Sequence, residues 1–247
     1  MPSTATFHFA GNLNDFLPRR QRGQPISHAF DWRASIKDMI ESLGVPHPEI
    51  EALQANGVPV SFEYTVQHGD VVHAYPVSVA PLEPENLLLR PPLAMPPRFI
   101  LDQHLGRLAA YLRMLGLDTR YRNDYHDEEL AQVSHDEGRV LLTRDVGLLK
   151  RSLVIYGYFV RATHREPQVL EIADRYQLRP HIRPFRHCLN CNGLLDPVAK
   201  AAVLDQLPAD TARYYDEFYR CDRCGQLYWK GPHYQRMQGL LSRLLQG

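Results

Sequence analysis

The stretch RFILDQHLGRLAAYLRMLGLDTRYRNDYHDEEL, residues 98–130, decides the fold class of this chain. It begins with a short apolar run that ends in Asp102, and leucines then recur at helical spacing until Gly116, a common helix stop. A second extended piece and a second helix follow. The run RVLLTRD, residues 139–145, repeats the pattern of an apolar strand that ends in an acid. Strands that alternate with helices predict an α/β domain built on a parallel sheet.

Carboxylates stand where the predicted strands end, at Asp102, at Asp124 or Asp127, and at Asp145. The carboxyl ends of parallel strands meet at one edge of a sheet, so we expect these acids to lie close together. Clustered carboxylates repel one another unless a cation neutralises them or they retain protons. Oxygen ligands suit Mg²⁺ or Mn²⁺, whose usual chemistry in such sites is hydrolysis of phosphodiesters by an activated water.

Two of these acids also have a simpler interpretation. Asp127 precedes Glu128 and Glu129 at a helix start, where an N-cap explains it equally well. Asp124 follows Asn123 and suits a turn. Asp102 and Asp145 are harder to explain in this way, because each ends a hydrophobic strand.

Basic and aromatic residues are interspersed with the acids. Phosphate contacts combined with aromatic faces are what a groove for single-stranded nucleic acid requires. For any single arginine, a solvated helix face is the simpler explanation. The candidate phosphate-binding residues are Arg107, Arg113, Arg144, Lys150 and Arg151.

The chain has four cysteines, arranged as two Cys-x-x-Cys pairs: Cys188 with Cys191, and Cys221 with Cys224. Each pair places two sulfurs on one tight turn, and two such turns complete a Cys₄ zinc site. The alternatives are four unrelated buried thiols or a pair of disulfides, but disulfides belong mainly to small secreted chains. A closed four-thiolate site leaves no position for a substrate, so we expect structural zinc. Residues 192–220 between the pairs suggest a helical excursion.

Charge and hydropathy limit the possible partners and locations. The formal net charge is zero, with 6 Lys/Arg against 10 Asp/Glu in residues 1–97 and 22 against 18 in residues 98–247. Bulk charge therefore excludes non-specific polyanion binding, and nucleic acid would need a local patch. No secretory start and no apolar run of about 20 residues is present. We expect a cytoplasmic protein that does not use a membrane.

Prolines crowd residues 76–97 and predict a semi-rigid linker between two halves. We predict four parts: residues 1–78, a small α+β domain; 79–97, the linker; 98–182, the α/β domain; and 183–247, the zinc-binding region and tail. In the first part, alternating strands surround a helix at residues 36–43, with Ser35 as N-cap and Gly44 as stop.

The segments IKDMIESLGVPHPEIE, NGVPV and GDVVHAYP make residues 4–76 similar to the ubiquitin-like (β-grasp) sulfur-carrier superfamily. Sulfur carriers end in a free Gly-Gly, whereas here Tyr75-Pro76 continues into the linker. This absence argues against sulfur transfer. We expect residues 1–78 to bind a protein partner or to pack on the neighbouring domain.

The stretch at 98–130, together with RVLLTRDVGLLKR, PFRHCLNCNGLL and CDRCGQLYWKGPHYQRM, resembles the Mut-seven C-terminal RNase domain family. The resemblance spans about residues 98–237 and implies a PIN-like nuclease domain that ends in a zinc ribbon. It also implies that Asp102, the Asp124/Asp127 motif and Asp145 form the acidic site and that the four cysteines bind zinc. The segment WKGPH also matches, so we expect His233 and Arg236 to contact RNA.

The sequence therefore predicts a metal-dependent ribonuclease with Mg²⁺ or Mn²⁺ at the four acids, structural Zn²⁺ at the cysteines, and tRNA or rRNA as candidate substrates. The alternative is a non-catalytic RNA- or ribosome-binding zinc-ribbon protein in which the acids are structural.

Overall fold

The computed structural model describes residues 2–31, 33–79, 88–231, 234 and 239. The first ninety-three residues contain β1 (Ser3–Phe9), β2 (Ile26–Phe30), α1 (Ile36–Ser42), β3 (Ala52–Ala55), β4 (Val58–Pro59) and β5 (Val71–Tyr75). The middle of the chain contains β6 (Phe99–Leu101), α2 (Gly106–Met114), β7 (Thr119–Tyr121), α3 (Asp127–Glu137), β8 (Val140–Thr143), α4 (Val146–Leu149), β9 (Gly157–Phe159) and α5 (Arg165–Arg175). The last part contains β10 (Leu195–Val198), α6 (Ala209–Tyr214), β11 (Phe218–Cys221) and β12 (Leu227–Trp229).

The chain divides into two units that differ from the predicted domains. Met1–Leu93 and Ser134–Phe159 cluster as the first unit, and Ala94–Val133 and Val160–Gly247 as the second. The predicted boundaries at 78, 97 and 182 stay a prediction, and residues 80–87 of the predicted linker lie outside the described residues.

The first unit contains a five-stranded mixed sheet in the order β2-β1-β5-β3-β4. β1 and β5 pair in parallel, while the other neighbours are antiparallel. β1 buries every second side chain, including Phe7, against Ile36 and Ile40 of α1, all with 0% exposure. The Ser35 hydroxyl accepts a hydrogen bond from the Asp38 N–H, as the cap prediction requires. The predicted β-grasp fold of this region is confirmed.

The first unit also includes β8 and β9, a parallel pair in which Leu141 is opposite Gly157. His47, which follows α1, links residues 1–93 to residues 134–159. Its Nδ1 lies 2.6 Å from Oε1 of Glu41, and its Nε2 lies 2.8 Å from the Val154 carbonyl oxygen. His47 thus bridges α1 and the segment before β9.

Two further polar contacts join residues 1–93 to residues 134–159. The buried Glu49 accepts a hydrogen bond from the Phe159 N–H at 2.6 Å. Lys150 at the end of α4 donates to the Glu41 carbonyl oxygen at 2.5 Å. Within the first unit, hydrogen bonds therefore join the β-grasp region to the segment that contains β8 and β9.

The second unit contains the parallel pair β6 and β7, with Phe99 opposite Thr119. α2 and α5 pack together in this unit, and the apolar side of α2 is fully buried at Leu108, Ala109 and Leu112. With a parallel pair in each unit and helices between the strands, the α/β prediction is confirmed. None of the helices in the described part of the chain is long and apolar enough to span a membrane.

The C-terminal part of the second unit is a three-stranded antiparallel sheet in the order β10-β11-β12. The predicted helical excursion is present as α6 and two short 3₁₀ turns. The first part of the segment, Leu195–Val198, is not helical but pairs with β11 as a strand.

Candidate functional site

The four cysteines form a metal-binding geometry. Their Sγ atoms all lie within 4.8 Å of one another. The Sγ atoms of Cys188 and Cys224 are 3.6 Å apart, and those of Cys191 and Cys221 are 3.4 Å apart. Tetrahedral zinc with Zn–S bonds of about 2.3 Å requires S···S distances of roughly 3.8 Å. The donor set and its spacing therefore fit a structural Zn²⁺.

Two similar turns hold the sulfurs. In the first, the Cys188 N–H donates to the Gly193 carbonyl oxygen at 2.8 Å, and Asn192 adopts a left-handed φ of 64°. In the second, the Cys221 N–H donates to the Gln226 carbonyl oxygen at 3.0 Å, and Gly225 has a φ of 72°. Asparagine and glycine tolerate this conformation better than other residues.

The thiols of the site differ in acidity before metal binds. Burial raises the pKa of Cys191 to about 12 and also raises the pKa of Cys221. Burial opposes ionisation of Cys188 as well, but hydrogen bonds from the Tyr228 hydroxyl and from nearby backbone N–H groups lower its pKa to about 7. At neutral pH the metal-free site therefore retains protons on at least Cys191 and Cys221.

Zinc binding should accordingly release protons. At pH 7 we expect at least two protons per zinc, because Cys191 and Cys221 must both ionise to become ligands. Calorimetric zinc titrations in buffers of different ionisation enthalpy give this number directly. Apparent zinc affinity should rise with pH over the same range. Release of fewer than one proton would show that the thiols are already ionised, contrary to their burial.

Arg113 connects α2 to the first zinc turn. The side chain is 3% exposed. Its Nη1 donates to the carbonyl oxygens of Leu189 and Asn190, both at 2.9 Å, and its Nε donates to the Thr119 carbonyl oxygen at 2.8 Å. Burial lowers the pKa of this guanidinium, and the Cys188 and Cys191 sulfurs oppose the shift. The cation thus partly compensates the negative charge of a four-thiolate site.

This contact set corrects the prediction that Arg113 binds nucleic acid. A guanidinium that is buried and bonded to backbone carbonyls does not face solvent. The sequence pattern missed this role because Arg113 occupies the polar position of an amphipathic helix. The structure shows that this position is covered by the zinc turn.

Arg113→Met should loosen that turn. We expect a loss of roughly 2–4 kcal/mol in the free energy of unfolding, because the buried Thr119 carbonyl oxygen loses its donor and the two charged hydrogen bonds to Leu189 and Asn190 are lost. Zinc affinity should fall at least about tenfold, as for other partners that orient metal ligands. Chemical denaturation and competition with a zinc chelator measure the two effects. Arg107→Met is the matched control, since Arg107 is an exposed arginine of the same helix and should change stability by less than about 0.5 kcal/mol. Equal effects in both variants would contradict the assigned role.

Tyr228 and Gly193 also support the zinc turns, and neither was predicted. The Tyr228 oxygen lies 3.1 Å from the Cys188 Sγ and accepts the Leu189 N–H. A side chain at Gly193 would place its Cβ 2.7 Å from the Cys221 Sγ and 2.5 Å from the Asp222 carboxylate. In the sequence, Gly193 follows Cys191 by only two positions, and this was the signal that could have predicted its role.

The two acids that end hydrophobic strands differ in exposure. Asp102 follows β6 and is 6% exposed. Asp145 follows β8, is exposed, and caps α4: its Oδ1 accepts the N–H groups of Gly147 at 2.6 Å and Leu148 at 3.2 Å. The helix cap is thus one role of Asp145, although both cap bonds end on the same oxygen.

Asp127 begins α3, and Asp124 lies in the turn that precedes this helix, as the turn interpretation predicts. Asp124 is 68% exposed at its side chain and receives two hydrogen bonds from Arg122, at 2.9 and 3.1 Å. This bonding lowers the pKa of Asp124. Asp127 is the first residue of α3, at the positive end of the helix dipole, so the N-cap position falls on the residue before it.

Across the residues that the structure describes, the four cysteines are the single group of three or more His, Cys, Asp or Glu side chains placed closely enough to hold a metal ion. A shared metal site at the four acids therefore stays a prediction.

The other predicted phosphate-binding residues are distributed over both units. Arg107 and Arg144 are exposed, and the Arg144 guanidinium lies 5.8 Å from the ring centroid of Phe159. The Lys150 ammonium donates one hydrogen bond to the Glu41 carbonyl oxygen, and burial lowers the pKa of Lys150. Arg151 is half-buried. The predictions for His233 and Arg236 fall outside the described residues.

Parallel strand pairs with intervening helices, followed by a closed four-cysteine centre, define a mixed α/β protein braced by a zinc ribbon. The chain belongs to the Mut7-C RNAse domain family, whose model matches residues 97–241. The Mut7-C ubiquitin model matches residues 2–81, in the predicted order along the chain. No curated protein and no solved structure matches the chain. Membership of this family supports a nuclease-type function.

Proposed function

We propose that this protein is a metal-dependent ribonuclease that hydrolyses RNA phosphodiester bonds at its strand-end carboxylates. The observation that supports this most strongly is the burial of Asp102 at the carboxyl end of β6 in a member of an RNase domain family. Open α/β folds bind their ligands at the carboxyl ends of their strands, where Asp102 stands. Mg²⁺ or Mn²⁺ suits an all-oxygen ligand set.

In this proposal Asp102 and Asp145 are the principal metal ligands, directly or through water, and Asp124 and Asp127 complete the set. The cap at α4 engages Oδ1 of Asp145, which leaves Oδ2 outside the cap. When bound, the ion would activate water as the nucleophile and stabilise the leaving oxygen. The exposed Arg144 beside Asp145 would bind the backbone phosphate.

The zinc ribbon has a structural role in this proposal. Its four thiolates close the coordination sphere and leave no position for water or substrate. Four thiol ligands require reducing conditions, which supports a cytoplasmic location. RNA is the proposed substrate, with tRNA and rRNA as the first candidates.

The test is incubation of the zinc-loaded protein with tRNA, rRNA and single-stranded DNA, with Mg²⁺ or Mn²⁺, followed by mapping of the product ends. We expect cleavage of RNA that depends on the added cation. End mapping separates internal cleavage from stepwise removal of terminal nucleotides. RNA binding without cleavage under any divalent cation would overturn the proposal and favour the non-catalytic alternative.

A further inference from the structure

A cavity of about 370 Å³ lies beside the four-cysteine centre in the second unit. Its walls are mostly apolar and aromatic. They include Met114, Phe185, Leu227, Tyr228, Trp229 and Tyr234. The volume falls within the range of small-ligand pockets, which are lined mainly by hydrophobic and aromatic side chains.

Phe185 is fixed in the wall of this cavity. Its ring centroid lies 5.0 Å from that of Tyr234 and 5.1 Å from that of Tyr219. Its backbone adopts a φ of 62°, a left-handed conformation that bulky residues rarely occupy. Such conformations persist where surrounding contacts enforce them, and they concentrate at binding sites.

The chain that forms one side of the cavity is positively charged. Residues 183–194 contain two arginines, Arg183 and Arg186, and no Asp or Glu. Arg186 is exposed and lies between Phe185 and His187, which both line the cavity. The cavity therefore combines aromatic faces with an adjacent cation, which is complementary to a base attached to a phosphate backbone.

We propose that this cavity binds one unpaired nucleobase of single-stranded RNA, stacked on the aromatic wall, while Arg186 contacts the neighbouring phosphate. The inference rests on the proposed function, because it identifies single-stranded RNA as the substrate class that the ribbon recognises. Stacking on aromatic rings is tolerant of base identity, so recognition here would select unpaired over paired RNA more than one sequence over another.

The test measures binding of a fluorescently labelled single-stranded RNA of eight nucleotides by anisotropy, without added Mg²⁺ or Mn²⁺. The comparison ligand is an oligomer with the same number of phosphates whose sugars carry no bases. We expect the RNA to bind the wild-type protein at least about tenfold more tightly than the base-free oligomer.

Substitutions assign the effect to the cavity. Phe185→Leu retains an apolar side chain but removes the ring, and it should abolish most of the preference for the base-bearing ligand. Arg186→Ala should weaken both ligands and reduce the salt dependence of binding. Tyr214→Leu is the matched control, because Tyr214 is a 67% exposed aromatic of the same ribbon that does not line the cavity. Its preference should equal that of the wild type.

Equal affinity of the wild type for the two oligomers would overturn the inference, as would an unchanged preference in Phe185→Leu with a full zinc content. The same preparations are then assayed for cleavage with Mg²⁺ or Mn²⁺. Base-dependent binding without cleavage would contradict the proposed function and leave the cavity assignment standing. Cleavage with no base-dependent binding would support the proposed function and contradict the cavity assignment.

Discussion

Gly116→Ala is expected to destabilise the protein more than any other single-methyl substitution at its turn glycines. The residue ends α2 with a φ of 86°, and a Cβ there would lie 1.9 Å from the Arg183 carbonyl oxygen and 2.6 Å from its carbonyl carbon. Both are backbone atoms. The Arg183 N–H also donates to the Leu115 carbonyl oxygen at 2.8 Å, so the two segments cannot separate without losing this bond.

Two terms contribute to the expected effect. The left-handed backbone costs about 1–2 kcal/mol for a residue with a Cβ. Overpacking against a fixed neighbour adds about 1–3 kcal/mol or more. Chemical denaturation should therefore show a loss of roughly 2–5 kcal/mol in the free energy of unfolding, unless the fold is lost altogether.

Gly138→Ala separates the two terms. Gly138 follows α3 with a φ of 58°, and a Cβ there meets no atom within 4 Å. This variant should lose only the backbone term, about 1–2 kcal/mol. If the two alanine variants are equally stable, the close approach of Arg183 to Gly116 is not what makes glycine necessary.

The second large effect is expected from Asp102→Asn. The substitution preserves size and removes the negative charge from a side chain that is 6% exposed. A lost metal ligand should lower the rate of RNA cleavage at least about 100-fold, since even residues that only support ligands cost 10- to 100-fold. Single-turnover cleavage at saturating Mn²⁺ measures the effect. Asp174→Asn is the control, because Asp174 on α5 is 60% exposed and forms an ion pair with Arg179, which follows the helix.

Asp145→Asn distinguishes the metal-binding role from the helix cap. Asparagine caps helices about as well as aspartate, so the bonds to Gly147 and Leu148 are retained and stability should change little. Cleavage should nevertheless fall to the level of Asp102→Asn. Full activity in this variant would mean that Asp145 serves only as the cap of α4.

Local chemistry made much of the fold predictable. Ser35 and Gly44 mark the two ends of α1 as expected from capping rules, and the structure confirms both. The two Cys-x-x-Cys pairs predicted one shared site because their spacing fixes each pair on a turn, and the sulfurs do lie together. These features depend on residues within a few positions of one another.

What the sequence did not predict depends on contacts between distant segments. Arg113 has the spacing of a solvated residue, and only the position of the zinc turn shows that it is buried. The bonds from His47 to Val154 and from Phe159 to Glu49 join segments more than a hundred positions apart. Periodicity reports which face of one element is apolar, but it does not report which segment covers that face.

RNA cleavage by this protein should depend on a divalent cation held by the strand-end carboxylates. The rate of RNA cleavage by the zinc-loaded wild type, followed as Mn²⁺ or Mg²⁺ is titrated with Asp102→Asn in parallel, measures this dependence. We expect a saturable rise in rate for the wild type and a plateau at least about 100-fold lower for Asp102→Asn. A rate that is independent of the added cation, or equal in the two proteins, would contradict cation-dependent cleavage at these acids.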